Sequence, residues 1–223
     1  MDIAANLATL KVDIPAHVGI IAVSKTHTLH EIMEAYKAGH LVFGENRVQE
    51  LIEKQPMLPG DIEWHFVGHL QSNKVKFIAP FVAMIHSVDS LKLLREINRE
   101  ALNNDRMIKC LLQFHIATEE TKYGLDLAEA AGLLGSPDLR QMKNIKICGV
   151  MGMATFTNDM NLVRKEFQLL KSIFNQLKAS HFQYDETFSE ISMGMTSDYD
   201  VGIEEGSTMV RIGTAIFGER FKL

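Results

Sequence analysis

Two glycine-containing turns near the C-terminus, Glu190-Ile-Ser-Met-Gly-Met-Thr-Ser-Asp198 and Gly206-Ser-Thr-Met-Val-Arg-Ile-Gly-Thr-Ala-Ile-Phe-Gly-Glu-Arg220, lie one short helix and one strand apart. The first turn leaves backbone N–H groups unpaired before a helix that Thr196 or Ser197 is expected to cap and Gly206 to end. The second, Ile212-Gly-Thr214, offers another N–H pair beside a hydroxyl. Unpaired N–H groups and a helix N-terminus both favour an anion. The pair therefore predicts a phosphate site, and two ordinary glycine turns are the alternative.

Short apolar segments alternate with longer helical patterns through the rest of the chain. Eight of these segments are predicted to be strands: Ile20–Ser24, Leu41–Phe43, Ile62–Val67, Val82–His86, Ile108–Phe114, Ile145–Met151, Phe188–Met193 and Thr208–Ile212. The clearest helix begins with a capping box at Thr28 and Glu31 and stops at Gly39. Others are predicted after Val48, in the Leu70–Ile78 segment, from Leu91, and over Met160 to Ala179.

Eight strands that alternate with helices form a parallel sheet, and eight is the number that closes a (β/α)8 barrel. We therefore predict an α/β fold, a single TIM barrel domain spanning residues 1–223. A doubly wound open sheet is the alternative. In a barrel, functional residues gather at the C-terminal strand ends, and phosphate commonly binds the loops after strands seven and eight. Those loops are the two glycine turns.

The composition describes a globular protein rather than a membrane or nucleic-acid-binding one. The chain has 223 residues, 46% of them hydrophobic, and a formal net charge of -5, which argues against general binding to nucleic acid or an anionic membrane. No apolar run approaches about 18 residues, and the N-terminus lacks the basic start of a signal peptide. Cys110 and Cys148 both lie in apolar runs, which fits a reducing compartment. We expect a cytoplasmic protein.

The residues that follow the strands are expected at the barrel mouth. Lys25 comes directly after Ile21-Ala-Val-Ser24. A partly desolvated lysine loses pKa and becomes a nucleophile towards aldehydes and ketones. The alternatives are a side chain that extends to solvent or pairs with Glu45. Other residues predicted at the mouth are Asn46, His69, His86, His115 and Met151-Gly-Met153.

A reactive lysine opposite a phosphate site has two common explanations. One is a sugar-phosphate aldolase, and the other is pyridoxal 5′-phosphate (PLP), whose aldehyde bonds a lysine while its phosphate is held elsewhere. Arg211 lies two residues before Gly213 and could lie beside the cofactor ring. A permanently charged donor there would bond an unprotonated pyridine nitrogen. A salt bridge to Glu190 is the alternative role for Arg211.

Five motifs carry a resemblance to a known family. They are Ala22-Val-Ser-Lys-Thr26, Phe43-Gly-Glu-Asn-Arg-Val-Gln-Glu50, Trp64-His-Phe-Val-Gly-His-Leu-Gln-Ser-Asn-Lys74, Ser192-Met-Gly-Met-Thr-Ser-Asp198 and Val210-Arg-Ile-Gly-Thr-Ala-Ile-Phe-Gly-Glu-Arg220. In this order they resemble the signatures of the PLP homeostasis protein family of the YggS/PROSC type. The resemblance implies a barrel like the N-terminal domain of alanine racemase, with PLP held as a Schiff base on Lys25.

The resemblance also implies the remaining contacts and the role. The cofactor-binding residues expected from it and from the predicted mouth are Lys25, Asn46, His69, Ser192, Gly194, Met195, Arg211, Gly213 and Thr214. The family stores, balances and delivers PLP in the cytosol without established turnover. We expect PLP as the cofactor, amino acids and apo-PLP enzymes as possible partners, and a monomer.

Three stretches depart from the family pattern. Phe114-His-Ile-Ala-Thr118 stands where an Asn-Ile-Ser-like strand end is usual, and Glu120-Thr-Lys-Tyr-Gly124 replaces a smaller Ser-Lys-Ser-Gly type. Met151-Gly-Met-Ala also differs from the usual end of strand six. These differences affect the amino-acid side of the pocket. His65 and His69 are four residues apart but lack a zinc-ligand pattern, so no metal is expected.

A PLP-dependent amino-acid racemase or related isomerase is the alternative function. Such an enzyme needs acid–base groups on both faces of the substrate Cα. In alanine racemase-like enzymes the opposite base is a tyrosine of a second domain, and this chain has no room for that domain. Its tyrosines show no placement that replaces it; they are Tyr36, Tyr123, Tyr184 and Tyr199. The sequence therefore favours a carrier over an enzyme.

Overall fold

The structure, a computed structural model, describes residues 2–118 and 123–219. Glu120–Lys122 of the second divergent stretch and Arg220 of the last motif lie outside the described residues. The strands are β1 Gly19–Val23, β2 Val42–Glu45, β3 Glu63–Phe66, β4 Met84–Val88, β5 Ile108–Phe114, β6 Ile145–Gly152, β7 Glu190–Met195 and β8 Met209–Ile212. The α-helices are α1 Ile3–Asp13, α2 Leu29–Lys37, α3 Val48–Lys54, α4 Val75–Ile78, α5 Leu91–Asn103, α6 Leu127–Gly135, α7 Pro137–Gln141, α8 Met160–His181, α9 Tyr199–Glu204 and α10 Thr214–Phe217.

The eight strands form one closed parallel barrel in chain order, from β1 round to β8. β8 pairs with β1 through the register Ile20↔Val210 and Ala22↔Ile212, which closes the sheet. This confirms the predicted (β/α)8 barrel and shows that the open-sheet alternative is wrong. Apolar side chains of the strands and of the helix faces that cover them form the main core.

The first crossover helix follows its predicted pattern. Thr28 accepts a hydrogen bond from the Glu31 N–H, and the Glu31 side chain accepts from the N–H of Thr28, so the capping box is complete. Gly39 follows the helix with φ +77°. A residue with a Cβ is disfavoured at positive φ, so glycine suits this stop.

An N-terminal helix, α1, was not predicted from the sequence. It buries Ile3, Leu7 and Leu10 on one face. It packs against α2 and against α10, and the side-chain amide of Asn6 donates to the carbonyl of Ile216 at 2.9 Å. Because α10 has only four residues, α1 supplies the outer cover that a full eighth helix gives in other barrels.

Register irregularities interrupt three of the strand pairs, β4–β5, β5–β6 and β7–β8. Between β7 and β8, Ser192 is paired with Met209 and Met195 with Arg211, so three steps on β7 match two on β8. A similar irregularity lies between Ile85 and Val88 of β4. An extra residue of this kind redirects the side chains that follow it. Among the described residues, none of the helices combines the length and the hydrophobicity that a membrane-spanning helix needs.

Candidate functional site

A cavity of about 490 Å³ opens at the C-terminal ends of the strands. Its volume is in the usual range for small-molecule sites. The polar part of its lining is formed by Lys25, Asn46, Thr196, Ser197, Arg211, Gly213 and Thr214. The remaining wall consists of Val23, Val67, Met153, Phe156 and Met195. The cavity thus combines one primary amine, three hydroxyls and a guanidinium with an apolar wall.

The two glycine turns meet at one side of this cavity. The Gly213 N–H donates to Oγ1 of Thr196 at 3.3 Å, which ties the loop after β8 to the loop after β7. Helix α9 begins after Asp198, which makes no side-chain cap bond to it, so the predicted capping by Thr196 or Ser197 is wrong. Asp198 instead accepts the Met195 N–H through Oδ1 at 2.5 Å. Gly206 follows the end of the helix with φ +93°, as predicted.

Arg211 lies between the cavity and the barrel interior, with its side chain 5% exposed. Nη1 donates to the Ser192 carbonyl at 2.8 Å and to the Ser192 hydroxyl at 2.7 Å, and Nη2 donates to the Gly152 carbonyl at 3.0 Å. These bonds use three of the five N–H groups of a guanidinium. The expected alternative, an ion pair with Glu190, does not form. Burial lowers the pKa of Arg211 to about 10, so the group is charged at neutral pH.

A chain of buried polar side chains continues from Arg211 through the barrel interior. Nδ1 of His86 lies 3.0 Å from the Ser192 hydroxyl, and Nε2 of His86 lies 2.9 Å from Nδ1 of His65. Burial and the nearby Lys109 lower the pKa of His65 to about 4. Burial, together with His65 and Arg211, lowers the pKa of His86 well below its ordinary value. Both imidazoles are therefore neutral at neutral pH.

The loop that carries Lys25 is held by a buried ion cluster. Nζ of Lys54 donates to the Ser24 carbonyl at 2.8 Å, to Oε1 of Glu45 at 2.7 Å and to Oε2 of Glu50 at 3.1 Å. Oε2 of Glu50 also accepts the Thr26 N–H at 2.7 Å. The residues on both sides of Lys25 are thus fixed to α3, and Glu45 is paired with Lys54.

The two carboxyl groups of this cluster have opposite pKa shifts. Burial raises the pKa of Glu45, and the opposing effect of Lys54 is smaller. Burial also acts to raise the pKa of Glu50, but hydrogen bonds from the Thr26 N–H and from Lys54 outweigh it, and the net shift is downward. Since Glu45 is fully buried and Glu50 is not, Lys54 is the cation that keeps a charged Glu45 tolerable in the interior.

The cavity brings together six of the residues that the sequence assigned to cofactor binding: Lys25, Asn46, Met195, Arg211, Gly213 and Thr214. It does not include Ser192, which is fully buried with its hydroxyl bonded to Arg211 and His86. Gly194 does not line it either, because this glycine packs against Tyr199 behind the turn.

Two histidines predicted at the mouth do not line this cavity. His86 is inside β4 and completely buried. His69 stacks on Tyr123 with ring centroids 4.1 Å apart, and its Nδ1 is 3.6 Å from Asp89. His65 and His69 therefore have separate surroundings, and no group of three His, Cys, Asp or Glu side chains within the described ranges could hold a metal ion.

Thr196, Ser197, Met153 and Phe156 line the cavity but were not predicted to bind a ligand. Thr196 and Ser197 were noticed only as helix caps. The signal that could have found them is the Thr-Ser pair directly after the first glycine turn, where hydroxyls come beside unpaired N–H groups. Phe156 carries no comparable signal, since it lies on an irregular loop after β6.

Asn46 has a buried side-chain oxygen, Oδ1, without a hydrogen-bond partner in the described structure. A buried polar atom of this kind costs free energy unless a ligand or water satisfies it. Because Asn46 lines the cavity beside Lys25, a polar ligand that reaches this wall would supply the missing partner. The cavity therefore fits a molecule with an apolar ring, polar substituents and an anionic group.

Comparison with known proteins agrees with this geometry. Residues 2–221 match the family described as alanine racemase, N-terminal domain. A pyridoxal phosphate homeostasis protein of Aquifex aeolicus is 38% identical over 202 residues, which cover 90% of this chain and 86% of that protein. A human pyridoxal phosphate homeostasis protein is 37% identical over 220 residues, covering 93% of this chain and 79% of that protein.

Solved structures show the same relationship. PipY of Synechococcus elongatus, determined with PLP bound, has a TM-score of 0.87 and 38% identity, covering 97% of this chain and 100% of that one. Alanine racemase of Bartonella henselae shares only the fold, with a TM-score of 0.70 and 16% identity over 99% of this chain and 61% of that one. The chain belongs to the alanine racemase N-terminal domain family and, within it, to the pyridoxal phosphate homeostasis proteins.

Proposed function

We propose that this chain binds PLP in the cavity at the C-terminal strand ends, holds it covalently through Lys25, and serves intracellular PLP homeostasis as a carrier. The observation that carries the proposal is the shared cavity: the amine of Lys25, the guanidinium of Arg211 and the hydroxyls of the two glycine turns line the same space. Residues 1–223 act as one cofactor-binding unit in this proposal, located in the cytoplasm.

Bound PLP supplies an aldehyde that bonds a primary amine and a pyridine ring that can withdraw electrons. Lys25 provides the amine, and the bonds from Lys54 and Glu50 to the neighbouring residues fix the direction from which it enters the cavity. Val23, Val67 and Met153 provide an apolar wall for a flat ring. The unsatisfied side-chain oxygen of Asn46 can accept a hydrogen bond from a polar ring substituent.

The phosphate is held by Thr196, Ser197 and Thr214, together with backbone N–H groups of the two turns. Their hydroxyls line the cavity at the point where the loops meet. Ser192, which the sequence suggested for this role, is left out because its hydroxyl is enclosed beneath Arg211. Helices α9 and α10 have six and four residues, so loop N–H groups and hydroxyls provide the binding rather than a helix dipole.

The donor-only chemistry of Arg211 favours a carrier over a racemase. A guanidinium donates hydrogen bonds and cannot accept them, so Arg211 keeps an adjoining pyridine nitrogen unprotonated and the ring a weak electron sink. A racemase also needs a second base opposite the lysine. None of the four tyrosines, Tyr36, Tyr123, Tyr184 and Tyr199, lines the cavity.

The experiment that tests this function compares delivery with turnover. The PLP-loaded protein is mixed with an apo-PLP enzyme, and recovery of that enzyme's activity is followed beside Cα deuterium exchange of L- and D-alanine in deuterated water. The proposal predicts transfer of the cofactor with almost no exchange. Exchange at about 1 s⁻¹ is the lower end of the range for ordinary enzymes. Exchange at that rate, with inversion of the amino acid, would support the racemase alternative.

A further inference from the structure

The barrel has a second cavity, of about 410 Å³, at the opposite end, where the strands begin. Side chains from all eight strands line it. Its wall is largely apolar, and its charged lining residues are Glu63, Lys109 and Glu190. The buried His65, 5% exposed, also lines it. The PLP proposal uses no residue of this second cavity.

The polar chain through the barrel has a direction that Arg211 determines. Arginine only donates, so the Ser192 hydroxyl oxygen accepts from Nη1 at 2.7 Å. We assign the Ser192 proton to the bond with Nδ1 of His86, 3.0 Å away, because the opposite tautomer would leave that hydroxyl proton without an acceptor among the described residues. Neutral His86 therefore carries its proton on Nε2 and donates it to Nδ1 of His65 at 2.9 Å.

The last step of this chain places a donor in the second cavity. Since Nδ1 of His65 accepts from His86, neutral His65 carries its own proton on Nε2. Residues 2–118 and 123–219 provide no hydrogen-bond acceptor for that nitrogen. Because this nitrogen is not among the fully buried atoms that lack a partner, it opens to the cavity, where a ligand with an acceptor atom could take its hydrogen bond.

The charges around the cavity indicate which acceptor fits. Lys109 lies close enough to His65 to affect its protonation, so a carboxylate at His65 would have a cation beside it. Glu63 and Glu190 outnumber that one lysine, and a simple anion would meet net repulsion. A zwitterion meets both signs, because its ammonium group faces the two glutamates. The apolar wall, which includes Ile21, suits a hydrocarbon side chain.

We propose that the cavity at the N-terminal end of the barrel is a binding site for a small α-amino acid with an apolar side chain. The carboxylate accepts from Nε2 of His65 and pairs with Lys109, and the ammonium group pairs with Glu63 and Glu190. Every hydrogen bond in the series from Arg211 to His65 runs in the same direction. A carboxylate bound at His65 therefore polarises all of these hydrogen bonds. Occupancy of this cavity thereby alters Arg211 in the other cavity.

The test is an NMR titration of the full chain with L-leucine. Labelled histidine ring nitrogens report on His65, and backbone amides of Thr196 and Thr214 report on the PLP cavity. We expect saturable shifts of the His65 Nε2 signal in the protein without added PLP. Lys109→Gln and Glu63→Gln should each weaken binding about 10-fold or more, since each removes a charged partner. Lys143→Gln, an exposed lysine just before β6 that does not line the cavity, is the matched control.

Three results would overturn the proposal. The first is that the His65 signals stay unchanged while the Thr196 and Thr214 amide signals shift. That result would place the amino acid in the PLP cavity. The second is that acetate binds as tightly as leucine, which would make the site one for simple anions. The third is that Lys143→Gln weakens leucine binding as much as Lys109→Gln does. That result would show that binding depends on the net charge of the protein and not on a contact with Lys109. Because none of these readouts requires PLP, the proposal can fail while the carrier function stands, and the reverse also holds.

Discussion

Among single residues, Lys54 supports the position of Lys25 although it does not line the cavity. It joins the Ser24 carbonyl to the carboxylates of Glu45 and Glu50. Sequence patterns predict such a cluster poorly, because a lysine on an amphipathic helix is normally expected to be exposed to solvent. Lys25 could be identified from the strand that precedes it, while its support comes from α3, some thirty residues later along the chain.

Replacing Lys54 by methionine is expected to destabilise the protein by about 3–5 kcal/mol, because a buried glutamate loses its cation. Urea denaturation measures the change. Adding Glu45→Gln to Lys54→Met should recover much of the loss, since the uncompensated charge is then removed. Lys37→Met, at an exposed position on α2, should change stability by less than about 0.5 kcal/mol. Equal effects of Lys54→Met and Lys37→Met would show that the cluster has no such role.

Thr196→Val is expected to weaken PLP binding about 10- to 100-fold, because a hydrogen bond to a charged group contributes roughly 1.5–3 kcal/mol. Pyridoxal, which lacks the phosphate, should bind the variant and the native protein alike. Ser192→Ala should affect both ligands to the same degree, since Ser192 acts through Arg211. If Ser192→Ala lowers the affinity for PLP more than the affinity for pyridoxal, Ser192 contacts the phosphate after all.

At the scale of elements, the alternating pattern predicted all eight strands to within a few residues, as well as the helices α2, α3, α5 and α8. The register irregularities of β7 and β4 could not be predicted from the sequence pattern. A one-residue shift moves side chains to the other face of a strand. This explains why Met195 lines the cavity while Ser192 and His86 point into the barrel interior.

The loops after β2 and β3 are held together by Gly68. A Cβ at this position would lie 2.2 Å from the Asn46 carbonyl oxygen. Gly68→Ala should therefore push the Asn46 loop away, with a loss of about 1–3 kcal/mol in stability and weaker PLP binding. Gly60→Ala is the matched control, because a Cβ there meets nothing within 4 Å. If thermal denaturation finds the two variants equally stable, the close contact does not constrain the loop.

For the molecule as a whole, the buried polar chain makes stability depend on pH. The pKa of His65 falls from an ordinary value near 6.5 to about 4 in the folded state. Between these values the unfolded chain binds the extra proton and the native protein does not. Stability is thus full above about pH 6.5 and declines as the pH falls towards 4, by roughly 3 kcal/mol. The same direction holds for His86.

Urea denaturation at a series of pH values between 4 and 7 measures this loss. His65→Gln should flatten the pH dependence, while His30→Gln, at an exposed position on α2, should leave it unchanged. Because His86 and Lys109 face His65, Lys109→Gln should raise the folded-state pKa of His65, so that the decline still begins near pH 6.5 but ends at a higher pH and is smaller in total. An unchanged slope in His65→Gln would assign the acid sensitivity to other groups.

The proposed carrier function depends on covalent binding of PLP by Lys25, in the cavity at the C-terminal strand ends. The most direct measurement is borohydride reduction of the PLP-loaded protein, followed by peptide mass mapping. We predict a single pyridoxyl group on the peptide that contains Lys25, and its loss in Lys25→Ala with the fold intact. A pyridoxyl group on another lysine, such as Lys74, with Lys25 unmodified, would contradict the account.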